Sequence, residues 1–172
     1  LTITYPEILD MQVTAIITAA CNMTKNGIKV LPEIMIPLVM DDKELKILES
    51  RAREIAAKII ATSEVPLKYM IGTMIEVPRA ALLADRIAKV AEFFSFGTND
   101  LTQMTLGLSR DDAGKFLPDY IDEKKGAIFR ADPFQNIDQD GVGMLIRMGI
   151  EKGRTSRPRL KVGICGEHGG DP

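Results

Sequence analysis

Apolar residues along the chain switch between two spacings, and the alternation predicts helices interleaved with short buried strands. Ile8, Met11, Ala15, Ala19 and Met23 recur at helical spacing, with Pro6 near the start of the segment and Gly27 just past its end. Proline suits a first helical turn and glycine the position after the last, so both ends are marked. A short apolar run follows, Ile28 to Leu38, broken by Pro32 and Pro37. Asp41 and Asp42 then open a second helix, where negative charge complements the helix dipole. Its buried stripe is Leu45, Leu48, Ala52, Ile55 and Ile59. Tyr69 to Val77 reads as the next strand, and Ala80, Leu83, Ala84, Ile87 and Val90 as the helix after it. Phe93 to Gly97 is a short buried strand, Val142 to Ile150 a helix stopped by Gly153, and Leu160 to Ile164 the last strand.

Strands alternating with helices imply parallel pairing and a right-handed α/β architecture. A doubly wound sheet and a (β/α) barrel both satisfy the pattern, and both carry their chemistry at the C-terminal ends of strands. The pattern holds four strands, where a closed barrel of this kind has eight. Between Leu106 and Pro133 lies a long charged connection that includes Ser109 to Phe116, with a small helix expected around Asp119 to Lys125. A connection of this length is either functional or a solvated surface excursion.

Composition narrows the function classes. With 172 residues and 45% apolar content the chain has one domain's length and enough material for a core. A formal net charge of −2 argues against a nucleic-acid footprint. No apolar run approaches a membrane span and no signal peptide is visible, so a cytoplasmic protein is expected, with an organelle left open. Cys21 and Cys165 give no disulfide framework and suit a reducing compartment.

Three clusters at strand ends carry candidate chemistry. The stretch from Val162 to Pro172 places Cys165 after a short apolar strand, in a glycine-rich loop that a substrate could approach closely. A thiol titrates near enough to neutrality to donate and recover a proton, although a free cysteine is as often a small buried hydrophobe. Cys21, on an alanine-rich helix, takes that second reading. Glu76 ends one strand and Asp100 follows the next, so adjacent parallel strands would bring both carboxylates to one rim. Such a pair, completed by substrate oxygens and water, suits Mg²⁺. Equally, they are unrelated acids and Asp100 a helix cap. Gly97, Thr98 and Asn99 form the loop ahead of Asp100; Gly97 would let backbone near a ligand and Asn99 offers an amide donor. A plain strand-to-helix turn uses the same residues.

Taken together, Gly72-Thr73-Met74-Ile75-Glu76-Val77-Pro78-Arg79, Phe96-Gly97-Thr98-Asn99-Asp100-Leu101-Thr102-Gln103 and Cys165-Gly166-Glu167-His168-Gly169-Gly170 closely resemble the C-terminal, pyruvate-binding domain of the pyruvate, phosphate dikinase family. The resemblance runs from Thr4 to Pro172. Phosphoenolpyruvate synthase and the phosphotransferase-system enzyme I share the metal and Gly-Thr-Asn-Asp blocks. The combination of Glu76-Val77-Pro78-Arg79-Ala80-Ala81, Ser109 to Phe116 and the final cysteine motif favours the dikinases.

The resemblance implies part of a (β/α)8 barrel, about its second half, belonging to a longer multidomain enzyme. It implies Mg²⁺ held by Glu76 and Asp100, pyruvate or phosphoenolpyruvate bound at Glu76, Gly97, Thr98, Asn99 and Asp100, and Cys165 as the acid/base at the substrate methyl carbon. The parent reaction would interconvert ATP, phosphate and pyruvate with AMP, diphosphate and phosphoenolpyruvate. Its phosphohistidine and nucleotide domains would be the partners, in a homodimer, with no nucleic acid and no membrane. His168 is therefore not the phosphorylated histidine; it orients Glu167 or Cys165, or is a satisfied loop residue. Arg79 either faces a phosphoryl group or pairs with an acid, and Glu33 matches a barrel strand without an assigned role. A Mg²⁺-dependent pyruvate lyase or aldolase, or an inactive assembly unit, are the competing readings. Half a barrel is also expected to leave two open edges and an apolar inner face, to be covered by a longer chain or a second copy.

Overall fold

The computed structural model describes residues 1–170. Helix α1 spans Pro6–Lys25 and leads to strand β1, Glu33–Ile36; α2, Asp42–Ser63, leads to β2, Met70–Ile75. Two short helices follow, α3 (Pro78–Leu82) and α4 (Ala84–Ile87), then β3 (Phe93–Gly97) and α5 (Thr98–Leu106). The excursion holds α6 (Arg110–Ala113), α7 (Leu117–Ile121) and a 3₁₀ turn at Glu123–Lys125; α8 (Val142–Ser156) and β4 (Lys161–Cys165) complete the fold, with a last 3₁₀ turn at Glu167–Gly170.

All four strands are parallel and lie in the order β1-β2-β3-β4. A doubly wound sheet reverses its strand order, whereas right-handed crossovers in unbroken order put every helix on one face. The arrangement is therefore that of consecutive units of a (β/α) barrel. The helix-covered face carries Ile34 and Ile36, Ile71 and Ile75, and Phe94 and Phe96, all buried in the main core with Leu45, Leu48, Ala52 and Leu101. Fully burying side chains of this size contributes about 1.5–3 kcal/mol each.

The opposite face curls. Glu33 on β1 and Lys161 on β4 form an ion pair although they stand on the two outermost strands. Three strand spacings of about 4.8 Å would hold them some 14 Å apart in a flat sheet. Curvature brings them within reach. This concave face was expected to be apolar and is mixed: Met35, Met74 and Phe93 share it with Glu33, Lys161, Ser95, Gly72 and Gly163. Glycine at 72 is required, since a Cβ there would stand 2.5 Å from the Phe93 ring.

Local departures from the sequence pattern have identifiable causes. Asp41 caps α2, accepting the Lys43 N–H at 3.0 Å, and Asp42 is the first helical residue. The single helix expected from Ala80 to Val90 divides at Leu83, where φ −105° and ψ 18° leave the helical region. Gly153 does not stop α8, which runs on to Ser156. Its missing Cβ would lie 2.7 Å from Leu160 and 2.8 Å from the Phe94 ring, so glycine there serves close helix–sheet packing. The excursion folds around a small core of its own, Ala113, Leu117 and Phe134, flanked by Phe116, Ile121 and Phe129.

Candidate functional site

The C-terminal ends of β2, β3 and β4 lie side by side and bring the predicted residues to one rim. Glu76 follows the last residue of β2, and Gly97 ends β3 opposite Cys165 of β4. Gly97 has an ordinary φ of −83°, so its lack of a side chain matters more than its freedom. A Cβ there would sit 2.6 Å from a Glu76 carboxylate oxygen and 2.6 Å from the Met74 sulfur. In the protein alone, Gly97 makes room for Glu76 rather than exposing backbone.

Thr98, Asn99 and Asp100 are not a loop. They are the first turn of α5, with Gly97 in the capping position, so Asp100 is not the cap. Its carboxylate stands near the positive end of the helix dipole and accepts from the Gln103 side-chain amide at 3.1 Å. Sequence reasoning missed this helix because its first residues are turn formers and its apolar positions are few.

Glu76 is 3% exposed and its Oε1 accepts the Leu38 N–H at 2.6 Å. Burial pushes its carboxyl above the usual range; the Leu38 N–H opposes this, and the Asp100 carboxyl beside it pushes it up further. Neither acid is in an ion pair among the described residues. The pair thus presents two adjacent hard oxygen donors that no Lys or Arg among the described residues neutralises. Mg²⁺ takes one or two carboxylates and completes its octahedron with water and substrate oxygens, so the pair fits that ion. No cluster of three or more His, Cys, Asp or Glu side chains suited to a metal occurs among the described residues.

Cys165 is half-buried and its thiol lies 3.4 Å from the Phe96 carbonyl oxygen. Its own carbonyl oxygen is 3.2 Å from the Thr98 hydroxyl. Gly166 next to it has φ +96°, and a Cβ there would meet Thr98 Oγ1 and Asn99 Oδ1 at 3.0 Å, so glycine is needed twice over. Asn99 Oδ1 accepts the Glu167 N–H at 3.4 Å, which leaves its Nδ2 donor unused among the described residues. Cys21, by contrast, is fully buried in the main core.

Other candidates fall elsewhere. His168 does not orient Glu167, which pairs with Arg110 of the excursion; it bonds Thr98 and the Pro133 carbonyl instead. Arg79 pairs with Asp41 at 3.1 Å and with the Met40 carbonyl at 2.6 Å. Asp171 and Pro172, which end the cysteine motif, lie outside the described residues.

This rim can be compared with known proteins. The whole chain, residues 1–172, matches the family described as PEP-utilising enzyme, PEP-binding domain. The chain belongs to that family. It is 58% identical over 170 residues to pyruvate, phosphate dikinase 2 of Oryza sativa subsp. japonica, covering 99% of this chain and 19% of the relative. Against pyruvate, phosphate dikinase of Clostridium symbiosum it is 57% identical over 173 residues, covering 100% of this chain and 20% of the relative. A chloroplastic pyruvate, phosphate dikinase 1 of Arabidopsis thaliana is 59% identical over 170 residues, 99% of this chain and 17% of the relative. The chain thus spans about a fifth of the length of these PEP-utilising relatives. No helix among the described residues is long and apolar enough to cross a membrane.

Proposed function

We propose that this chain is the pyruvate/phosphoenolpyruvate half of a pyruvate, phosphate dikinase. That enzyme exchanges ATP, phosphate and pyruvate for AMP, diphosphate and phosphoenolpyruvate, with phosphohistidine and nucleotide domains elsewhere in a longer, dimeric chain. The observation that carries the reading is the rim itself: a buried carboxyl with a second carboxyl beside it, on neighbouring strand ends that lead on to a half-buried thiol. The names of the relatives favour a dikinase over other members of the family. The chloroplastic relatives leave cytoplasm and organelle both open.

In this reading Glu76 and Asp100 hold Mg²⁺, which when bound would stabilise negative charge on the pyruvate enolate oxygen. The Asn99 amide and the backbone around Gly97 and Thr98 orient the substrate carboxylate. Cys165 carries the proton. As thiolate it takes one from the pyruvate methyl carbon, leaving the enolate to accept the phosphoryl group through oxygen. In reverse, phosphoenolpyruvate gives up its phosphoryl group and the Cys165 thiol returns a proton to the methylene carbon.

The test uses the full-length protein. Cys165→Ala should abolish exchange of pyruvate methyl protons with deuterated water, read by NMR. Phosphoryl transfer from ATP to the distant histidine should persist, because the thiol takes no part in it. Loss of both half-reactions, or of neither, makes Cys165 structural or incidental.

A further inference from the structure

His168 is the only histidine of the chain and is buried at 6% exposure. The chemistry above leaves it without a task. Its Nε2 lies 2.9 Å from the Pro133 carbonyl oxygen and its Nδ1 2.7 Å from the Thr98 hydroxyl. A carbonyl oxygen only accepts, which assigns the proton to Nε2. In the neutral ring Nδ1 is then the acceptor, and the Thr98 hydroxyl donates to it. Both ring nitrogens are satisfied, so the imidazole has one orientation.

Thr98 is where that hold reaches the thiol. Besides His168, its hydroxyl stands in donor position 3.2 Å from the Cys165 carbonyl oxygen, and a Cβ on Gly166 would lie 3.0 Å from it. A hydroxyl has one proton to give, and the shorter contact to the imidazole claims it. Released from the imidazole, Thr98 could turn its proton to the Cys165 carbonyl and draw that peptide with it. The Cys165–Gly166 turn holds a left-handed glycine at φ +96°. The ring's other anchor, Pro133, belongs to the excursion that follows α5. One side chain therefore ties the excursion, the first turn of α5 and the end of β4 together.

We propose that His168 is a positioning residue for Cys165: it fixes the Thr98 hydroxyl, and through it the turn that aims the thiol at the substrate methyl carbon. The proposal rests on the reading of Cys165 as the proton carrier.

The experiment compares His168→Phe, which fills the volume without either bond, His168→Asn, which keeps a polar atom on the Thr98 side, and Thr98→Val in the full-length protein. Two quantities are read: methyl-proton exchange of pyruvate, and iodoacetamide alkylation of Cys165 followed on its own peptide by mass spectrometry. His168→Phe should lower kcat for exchange by about tenfold or more, since a misplacement near 1 Å can cost up to about a hundredfold. KM for pyruvate should move little, and the alkylation rate of Cys165 should change. His168→Asn should recover part of both. Thr98→Val should reproduce the kcat loss, and the double variant should be no worse than the poorer single one. Additive losses, or unchanged kcat and alkylation in His168→Phe, overturn the proposal. Should His168→Phe fail to fold, unchanged kcat and alkylation in both Thr98→Val and His168→Asn do the same. If the unaltered protein exchanges no methyl protons, or Cys165→Ala exchanges normally, the pyruvate reading falls instead. Alkylation still decides whether His168 and Thr98 hold the cysteine.

Discussion

At Glu76 a carboxylate with 3% exposure stands beside a second carboxylate, and the Leu38 N–H is the bond that offsets its lost hydration. Because the folded state raises its pKa, folding favours the protonated form, and the ionised form carries a penalty. That penalty is absent below the ordinary value of 4.5, grows as pH rises through the raised folded value, and is constant above it. Glu76→Gln keeps a carbonyl oxygen for Leu38 and removes the charge. Without Mg²⁺ at neutral pH it should melt higher than the unaltered chain, by a few degrees if about 1–2 kcal/mol is relieved. The gap should close toward pH 4.5. Added Mg²⁺ should raise the midpoint of the unaltered chain and leave Glu76→Gln unmoved; equal responses would show that the pair holds no metal. The two acids were legible as strand-end residues from their places in the sequence. The Leu38 bond was not, because Leu38 adopts φ 54° with a side chain that gives no sign of a left-handed residue.

Elements were most legible where burial and periodicity agree. The strand Phe93–Gly97 and the start of α2 at Asp41 and Asp42 are both readable, because apolar runs and caps are local signals. The end of α8 was not readable, because Gly153 answers to side chains that are distant in sequence, Phe94 above all. This makes a sharp test of which effect governs the position. Helix propensity alone would make Gly153→Ala stabilising by up to about 1 kcal/mol. Overpacking against a buried ring costs about 1–3 kcal/mol. The variant should therefore lower the denaturation midpoint in urea. A gain would mean that the Leu160 and Phe94 side chains move aside freely. The excursion shows the same limit: its charged sequence left a functional and a solvated connection equally open and gave no sign of a core, yet Tyr120 meets Phe116 edge-to-face and stacks on Phe129, with ring centroids 5.9 and 5.8 Å apart.

For the molecule as a whole, β1 and β4 each pair on one side only, which leaves two strand edges with unpaired backbone groups. The concave face between them is less apolar than half a barrel would suggest, since Glu33, Lys161 and Ser95 share it with Met35 and Phe93. Edge pairing, more than hydrophobic collapse, should then drive association. Light scattering of these 172 residues alone should show mass rising with concentration. A compact monomer at every concentration would mean that the edges are protected as they stand. The unbroken strand order also has a consequence for synthesis. Each strand pairs with the one made just before it, so β1, β2 and β3 can assemble while the rest of the chain is still being translated. The Glu33–Lys161 pair spans the whole sheet, and it must wait until residue 161 has left the ribosome. The curvature of the rim would thus be the last feature of the sheet to be set.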